Sequence, residues 1–76
     1  MKKDCWVEKI FENGKGLCVH HAESLSEAVK FVKTYNLKEN EKLIVWQNFV
    51  GKVYFRTFEN QGLAINRFYE YLLSGR

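Results

Sequence analysis

Ser24-Leu25-Ser26-Glu27-Ala28-Val29-Lys30-Phe31-Val32-Lys33-Thr34-Tyr35 decides how the chain is read, because it is a helix written with its start signal attached. Serine followed three residues later by glutamate is a capping box, whose side-chain oxygens satisfy backbone donors that a helix start leaves open. Leu25, Ala28, Val29, Val32 and Tyr35 then recur at helical spacing as one apolar stripe, while Glu27, Lys30 and Lys33 fall on the wet side. Asn36 is a fitting stop. The spacing predicts a helix from about Leu25 to Tyr35.

The same order of residue types returns 36 positions later at Ala64, Ile65, Phe68 and Tyr71. A second helix is therefore expected from about Asn60 to Leu73, with Glu59 favourable near its start and Gly62 weakening it by roughly 1 kcal/mol relative to alanine. Ahead of each helix lies an apolar stretch broken by a glycine turn, and Ile10, Leu17 and Val19 map onto Trp46, Val53 and Phe55 at the same offset. The expected fold is α+β, in the order β-β-α-β-β-α. Its four-stranded antiparallel sheet carries both helices on one face. The pattern fits an internal duplication, with units at about 5–36 and 43–73 inside a single domain spanning 1–76; two unrelated amphipathic helices after hairpins would leave the same pattern. The polar segment from Asn36 to Lys42 joins the units.

Strand faces follow from the turns. Asn13-Gly14 suits a two-residue hairpin turn that requires positive φ. That turn sets Glu12 opposite Lys15 and Ile10 opposite Leu17, which puts Ile10, Leu17 and Val19 on the core face and Val7, Lys9, Phe11, Cys18 and His20 on the other. Leu43 to Trp46 and Val53 to Phe58 are strand-like, around a loop at Asn48-Phe49-Val50-Gly51. An even loop length groups Ile44, Trp46, Val53 and Phe55 on one face and Gln47, Lys52, Tyr54 and Arg56 on the opposite one. The expected core is Ile10, Leu17, Val29, Val32, Trp46, Val53, Phe55 and Phe68.

Composition narrows the function classes. A chain of 76 residues has room for one domain, which buries only about 60% of its unfolded surface. Hydrophobic content of 46%, with 16% aromatic, is too high for disorder. The formal charge of +3 is mild for a dedicated nucleic-acid binder. No signal-peptide pattern follows Met1-Lys2-Lys3, because Glu8, Lys9 and Glu12 interrupt the next stretch, and no run approaches the ~18 apolar residues of a membrane span. An intracellular, cytoplasmic protein with reduced thiols is expected.

The residues that could carry chemistry are few. Cys5, Cys18, His20 and His21 are the soft-ligand group, but a zinc site needs four ligands converging in a tetrahedron. In the expected register Cys18 lies opposite Lys9, four residues and about 13 Å from Cys5, beyond the ~7 Å that a disulfide tolerates. Cys18 and His20 share a strand face, yet nothing orients the histidine or supplies an oxyanion hole. Glu8, Glu12, Glu39 and Glu41 read as solvated, not as the desolvated carboxyls of acid–base work. Gly14-Lys15-Gly16 lacks the spacing and context of a phosphate loop. The expectation is no enzyme, no cofactor and no metal.

The surface with most chemical content is the outer sheet face: Lys9, Phe11, His20, Gln47, Lys52, Tyr54 and Arg56. Basic groups interleaved with aromatics pair with phosphates and stack on bases, although lysine, tyrosine and arginine are also ordinary on a solvated sheet face. Val7, Phe11, Val45 and Phe49 add more apolar area than such a face needs, which points to a partner.

Gly51-Lys52-Val53-Tyr54 through Thr57-Phe58, followed by Ala64 and Phe68, resembles the strand-to-helix end of AP2-type and integrase arm-binding domains, whose sheets dock on DNA. The resemblance covers about a quarter of the chain, and the first half departs from that family's three-stranded arrangement. It implies that Lys52 and Arg56 face DNA. In size and α+β character the chain is also similar to phage-encoded inhibitors of nucleic-acid machines, anti-CRISPR proteins among them. The leading expectation is a non-catalytic accessory or inhibitor protein that occupies a surface of a host nucleic-acid-processing machine. The alternative is a DNA- or RNA-binding module using the basic-aromatic face. A protein partner, a nucleic acid or a second copy of the chain are the partners considered, and no membrane.

Overall fold

Three residues, not two, close the first hairpin, and that difference sets the sidedness of the sheet. In the computed structural model, which describes residues 4–60 and 62–65, the Phe11 N–H donates to the Lys15 carbonyl at 2.8 Å and the Gly14 N–H to the Phe11 carbonyl at 2.9 Å. Gly14 takes φ 88°, and the Asn13 side chain accepts from the Lys15 N–H. The turn is thus Glu12-Asn13-Gly14, a type of loop in which a left-handed residue ends the turn. It joins β1 (Cys5–Ile10) to β2 (Gly16–Ala22) with Ile10 opposite Gly16 and Lys9 opposite Leu17. A one-residue slip exchanges the two faces of a strand. Cys5 and Val7 are therefore fully buried, whereas Leu17, expected in the core, is 54% exposed.

The helix α1 (Leu25–Thr34) forms as its sequence specifies. The Ser24 hydroxyl accepts from the Glu27 N–H at 3.2 Å, and Ala28, Val29 and Val32 are buried. Tyr35 ends the helix in an extended conformation. Leu37 follows and plugs the core from a segment that reads as a polar linker.

β3 (Lys42–Gln47) lies antiparallel to β1, β4 (Gly51–Thr57) to β3 and β5 (Leu63–Ala64) to β4, so that the sheet order is β2-β1-β3-β4-β5, antiparallel throughout. β4 pairs with β3 through a bulge, with Lys52 opposite Trp46 but Tyr54 opposite Val45. Val53 is the additional residue in that bulge. The expected grouping of Ile44, Trp46, Val53 and Phe55 against Gln47, Lys52, Tyr54 and Arg56 holds in the structure except at the bulge, which moves Lys52 to the tryptophan side and leaves Val53 buried in the core with Val45 and Tyr54. Which group faces the helix is the reverse of expectation. Leu43, Val45, Tyr54 and Arg56 face α1, alongside Val7 and Lys9; Ile44, Trp46 and Phe55 look away. Val29, Val32 and Val53 are in the core as expected; Ile10, Trp46 and Phe55 lie half-buried on the opposite face.

The second β-β-α unit is overturned. Where its helix should start, Gly62 sits at φ 123°, and Leu63–Ala64 form a short strand, β5, paired with Tyr54 and Phe55 of β4. The Ile65 N–H donates to the Val53 carbonyl at 3.2 Å. A residue at that φ cannot continue a right-handed helix, and the backbone donors here are spent on the sheet. The rest of the expected helix, with Phe68 and Tyr71, lies outside the described residues. The fold is one α+β domain with a single described helix on a sheet of four full strands and a two-residue fifth, not a duplication.

Candidate functional site

α1 covers one face of the sheet, and among the described residues no element covers the other. β1 contributes Trp6, Glu8 and Ile10 to that open face; β2 contributes Cys18 and His21; β3 contributes Lys42, Ile44 and Trp46; β4 contributes Lys52, Phe55 and Thr57. Trp6 and Trp46 are cross-strand partners, with indole rings parallel within 9° and centroids 6.4 Å apart. The Trp46 Nε1–H donates to the Glu8 carboxylate at 2.9 Å, and the Lys52 ammonium stands 5.6 Å from the Trp46 ring centroid. Close pairing of that kind gives a cation an electrostatic hold on the ring. Two shallow depressions flank the pair. One is lined by Trp6, Glu8, Cys18 and Trp46, the other by Ile44, Lys52, Phe55 and Ile65 with Lys42 and Thr57.

The sequence-predicted binding residues are mostly elsewhere. Lys52 alone is on the open face. The Lys9 ammonium lies on the helix side, 3.3 Å from both the Tyr35 hydroxyl and the Glu41 carboxylate and over the Phe11 ring. The Tyr35 hydrogen bond, then Glu41, holds its pKa above the ordinary lysine value, against some desolvation. Arg56 is a helix cap: its Nη1 donates to the Val32 carbonyl at 2.6 Å and the Tyr35 carbonyl at 2.7 Å. Tyr54 is buried, and burial raises its phenol pKa despite the nearby Arg56 charge. Gln47 donates to Asp4. The His20 ring stacks on Phe31, with centroids 4.2 Å apart, and lies 3.8 Å from Glu27. Lys9, His20 and Arg56 are engaged with the helix or the segment that leaves it, Tyr54 is buried in the core and Gln47 is held by Asp4, so the inverted faces correct the surface read from sequence.

The thiols differ in the same way. Cys5 is buried, which together with Asp4 and Glu27 pushes its pKa up to about 11. Cys18 is exposed; its thiol donates to the His20 carbonyl at 3.7 Å, and the imidazole beside it is that of His21, not His20, with Sγ 3.3 Å from Nε2. The reason is a bulge in β2: Cys18 pairs with Glu8 and His20 with Val7, leaving Val19 between them. Among the described residues no three cysteine, histidine or carboxylate side chains gather as a metal site.

At the β3–β4 turn Phe49 takes φ 67° and is 94% exposed, beside the half-exposed Val50. A bulky residue in the left-handed region is uncommon, and here it displays an aromatic ring at the tip of the hairpin. Sequence reading placed Phe49 near the functional face but assigned Trp6, Ile44, Trp46 and Phe55 no surface role. The signal that could have found them was the alternation of Trp6-Glu8-Ile10 against Cys5-Val7-Lys9; both sets are mostly apolar, so it could not be oriented without the turn length.

Fold and face together define a small α+β domain that presents an aromatic sheet surface on the side of the sheet away from its helix. No protein-family model matches the chain, and no curated protein or solved structure matches it. No helix among the described residues is long and apolar enough to cross a membrane.

Proposed function

We propose that the chain is a small non-catalytic binding protein whose open sheet face occupies the surface of a partner protein, in the manner of an accessory or inhibitor of a nucleic-acid-processing machine. The observation that carries this reading is the composition of the face. Trp6, Trp46, Ile44 and Phe55 form an apolar centre, and Lys42, Lys52 and His21 sit toward its edges. Aromatic anchors inside a polar rim are the usual anatomy of a protein interface, and a few such anchors carry most of the binding energy. The lysines favour an acidic surround on the partner.

A second reading has its own support. Parallel indoles with a lysine over one of them form a platform on which unstacked bases can lie, and such binding is sequence-tolerant and salt-sensitive. One experiment separates the two. Labelled single-stranded DNA, duplex DNA and RNA are titrated by fluorescence anisotropy at low and physiological salt, and co-purification from an extract of the source cells is run in parallel. Parent, Trp46→Ala, Lys52→Ala and Lys30→Ala are compared, with far-UV circular dichroism to verify folding. The protein-partner reading expects co-purification that Trp46→Ala abolishes and Lys30→Ala, on the helix, leaves intact. Nucleic-acid binding that weakens with salt and with Lys52→Ala would replace it, and co-purification indifferent to Trp46 would sink the assignment of this face.

A further inference from the structure

We propose that Cys18 and His21 are one half of a zinc site that a second copy of the chain completes across the free edge of β2. Ordinary strand alternation would send residues 18 and 21 to opposite faces. The bulge at Val19 brings both to the open face, where Sγ and Nε2 are 3.3 Å apart. Around tetrahedral zinc, a thiolate at about 2.3 Å and an imidazole at about 2.0 Å stand roughly 3.5 Å from one another. The contact between thiol sulfur and imidazole nitrogen therefore already holds the pair at nearly the bite a zinc ion needs.

Among the described residues one chain supplies only two of the four ligands. Glu8 lies opposite Cys18, but its carboxylate accepts from the Trp46 indole; His20 is stacked on Phe31 across the sheet. The missing pair is available by symmetry. Among the described residues β2 is the end strand of the sheet, and Gly16–Ala22 contains no proline and no lysine, aspartate or glutamate, the residues that normally keep an edge from pairing. In a two-fold antiparallel approach centred between Val19 and His20, Cys18 of each copy lies opposite His21 of the other. Two cysteines and two histidines then converge on the axis as a closed structural set. Because the bulge interrupts the outer edge, backbone pairing is a weak join by itself and the metal carries the association. Each thiol gives its proton to solvent as it binds, so affinity falls as pH is lowered. The site is independent of the partner proposed for the open face, though it would set two such faces side by side.

The test titrates the full chain with zinc chloride and reads mass by sedimentation equilibrium and metal content by a chromophoric chelator. The expected result is a monomer without metal, and a dimer holding one zinc per two chains that a chelator dissociates. Cobalt in place of zinc should give a near-ultraviolet thiolate-to-metal band. Cys18→Ser and His21→Ala should each remove dimer and band with the far-UV spectrum unchanged, while Cys5→Ala and His20→Ala keep both. Zinc bound at one per chain to a monomer, no binding at micromolar metal, or a dimer that persists in Cys18→Ser and His21→Ala would each overturn the proposal.

Discussion

Lys9 shows how a residue's role is assigned by what stands opposite it. Its ammonium binds Glu41 and Tyr35 with only 14% of the side chain exposed, and so ties β1 to the segment that leaves the helix. Desolvation acts to raise the Glu41 pKa, but the Lys38 N–H and the Lys9 charge outweigh it and hold the carboxyl below its ordinary range. A lowered carboxyl pKa contributes stability that is present above the unfolded value and lost as pH falls through the folded one. The Lys9 contribution runs the other way, full below the ordinary lysine pKa and lost as pH rises through the raised one. In urea unfolding, Glu41→Gln is therefore expected to have a lower midpoint than the parent at neutral pH, with the difference closing below about pH 4. A difference that persists in acid would assign the effect to packing instead.

At the scale of elements, β4 meets the helix through Arg56 and pairs with β5 through Tyr54 and Phe55. Arg56 caps the carbonyl end of α1, where a cation is favoured by both hydrogen bonding and the helix dipole. Arg56→Ala should cost about 1–3 kcal/mol, read as a lowered urea midpoint with partial loss of helical signal. Loss of stability with helix content untouched would argue against a capping role. Gly62 lies at φ 123°, and a Cβ there would meet the Tyr54 hydroxyl. Gly62→Ala is expected to destabilise by about 1–3 kcal/mol, whereas a helix running through this position would be stabilised by the same substitution. The sign of the change discriminates between the two structures directly.

For the whole molecule, the sidedness of the sheet makes neighbouring residues unequal. Leu43 is fully buried between sheet and helix, so Leu43→Ala should cost about 2–5 kcal/mol, a large part of the stability of so small a domain. Ile44, one residue on, is half-buried on the open face, and Ile44→Ala should cost roughly 1 kcal/mol. Equal losses, measured by chemical unfolding, would contradict the assignment of faces. The α1 segment was legible from the chain because capping and a 3.6-residue period are local properties; the strands were legible as apolar runs, and the β3 and β4 groupings followed from alternation except at Lys52 and Val53, which a bulge displaced. The sidedness was not, because Cys5-Val7 and Trp6-Ile10 are both apolar enough for a core, and one residue in the first turn decides between them. The expected start of the second helix failed for a related reason: Ala64 and Ile65 carry a helical pattern, but pairing with β4 and the backbone of Gly62 outweigh it. By itself the sequence determined one α+β domain, its helix and the chemistry on offer; which aromatics face outward and which thiol meets which histidine were decided by turn length and bulges, whose consequences appear only when strands pair across the molecule.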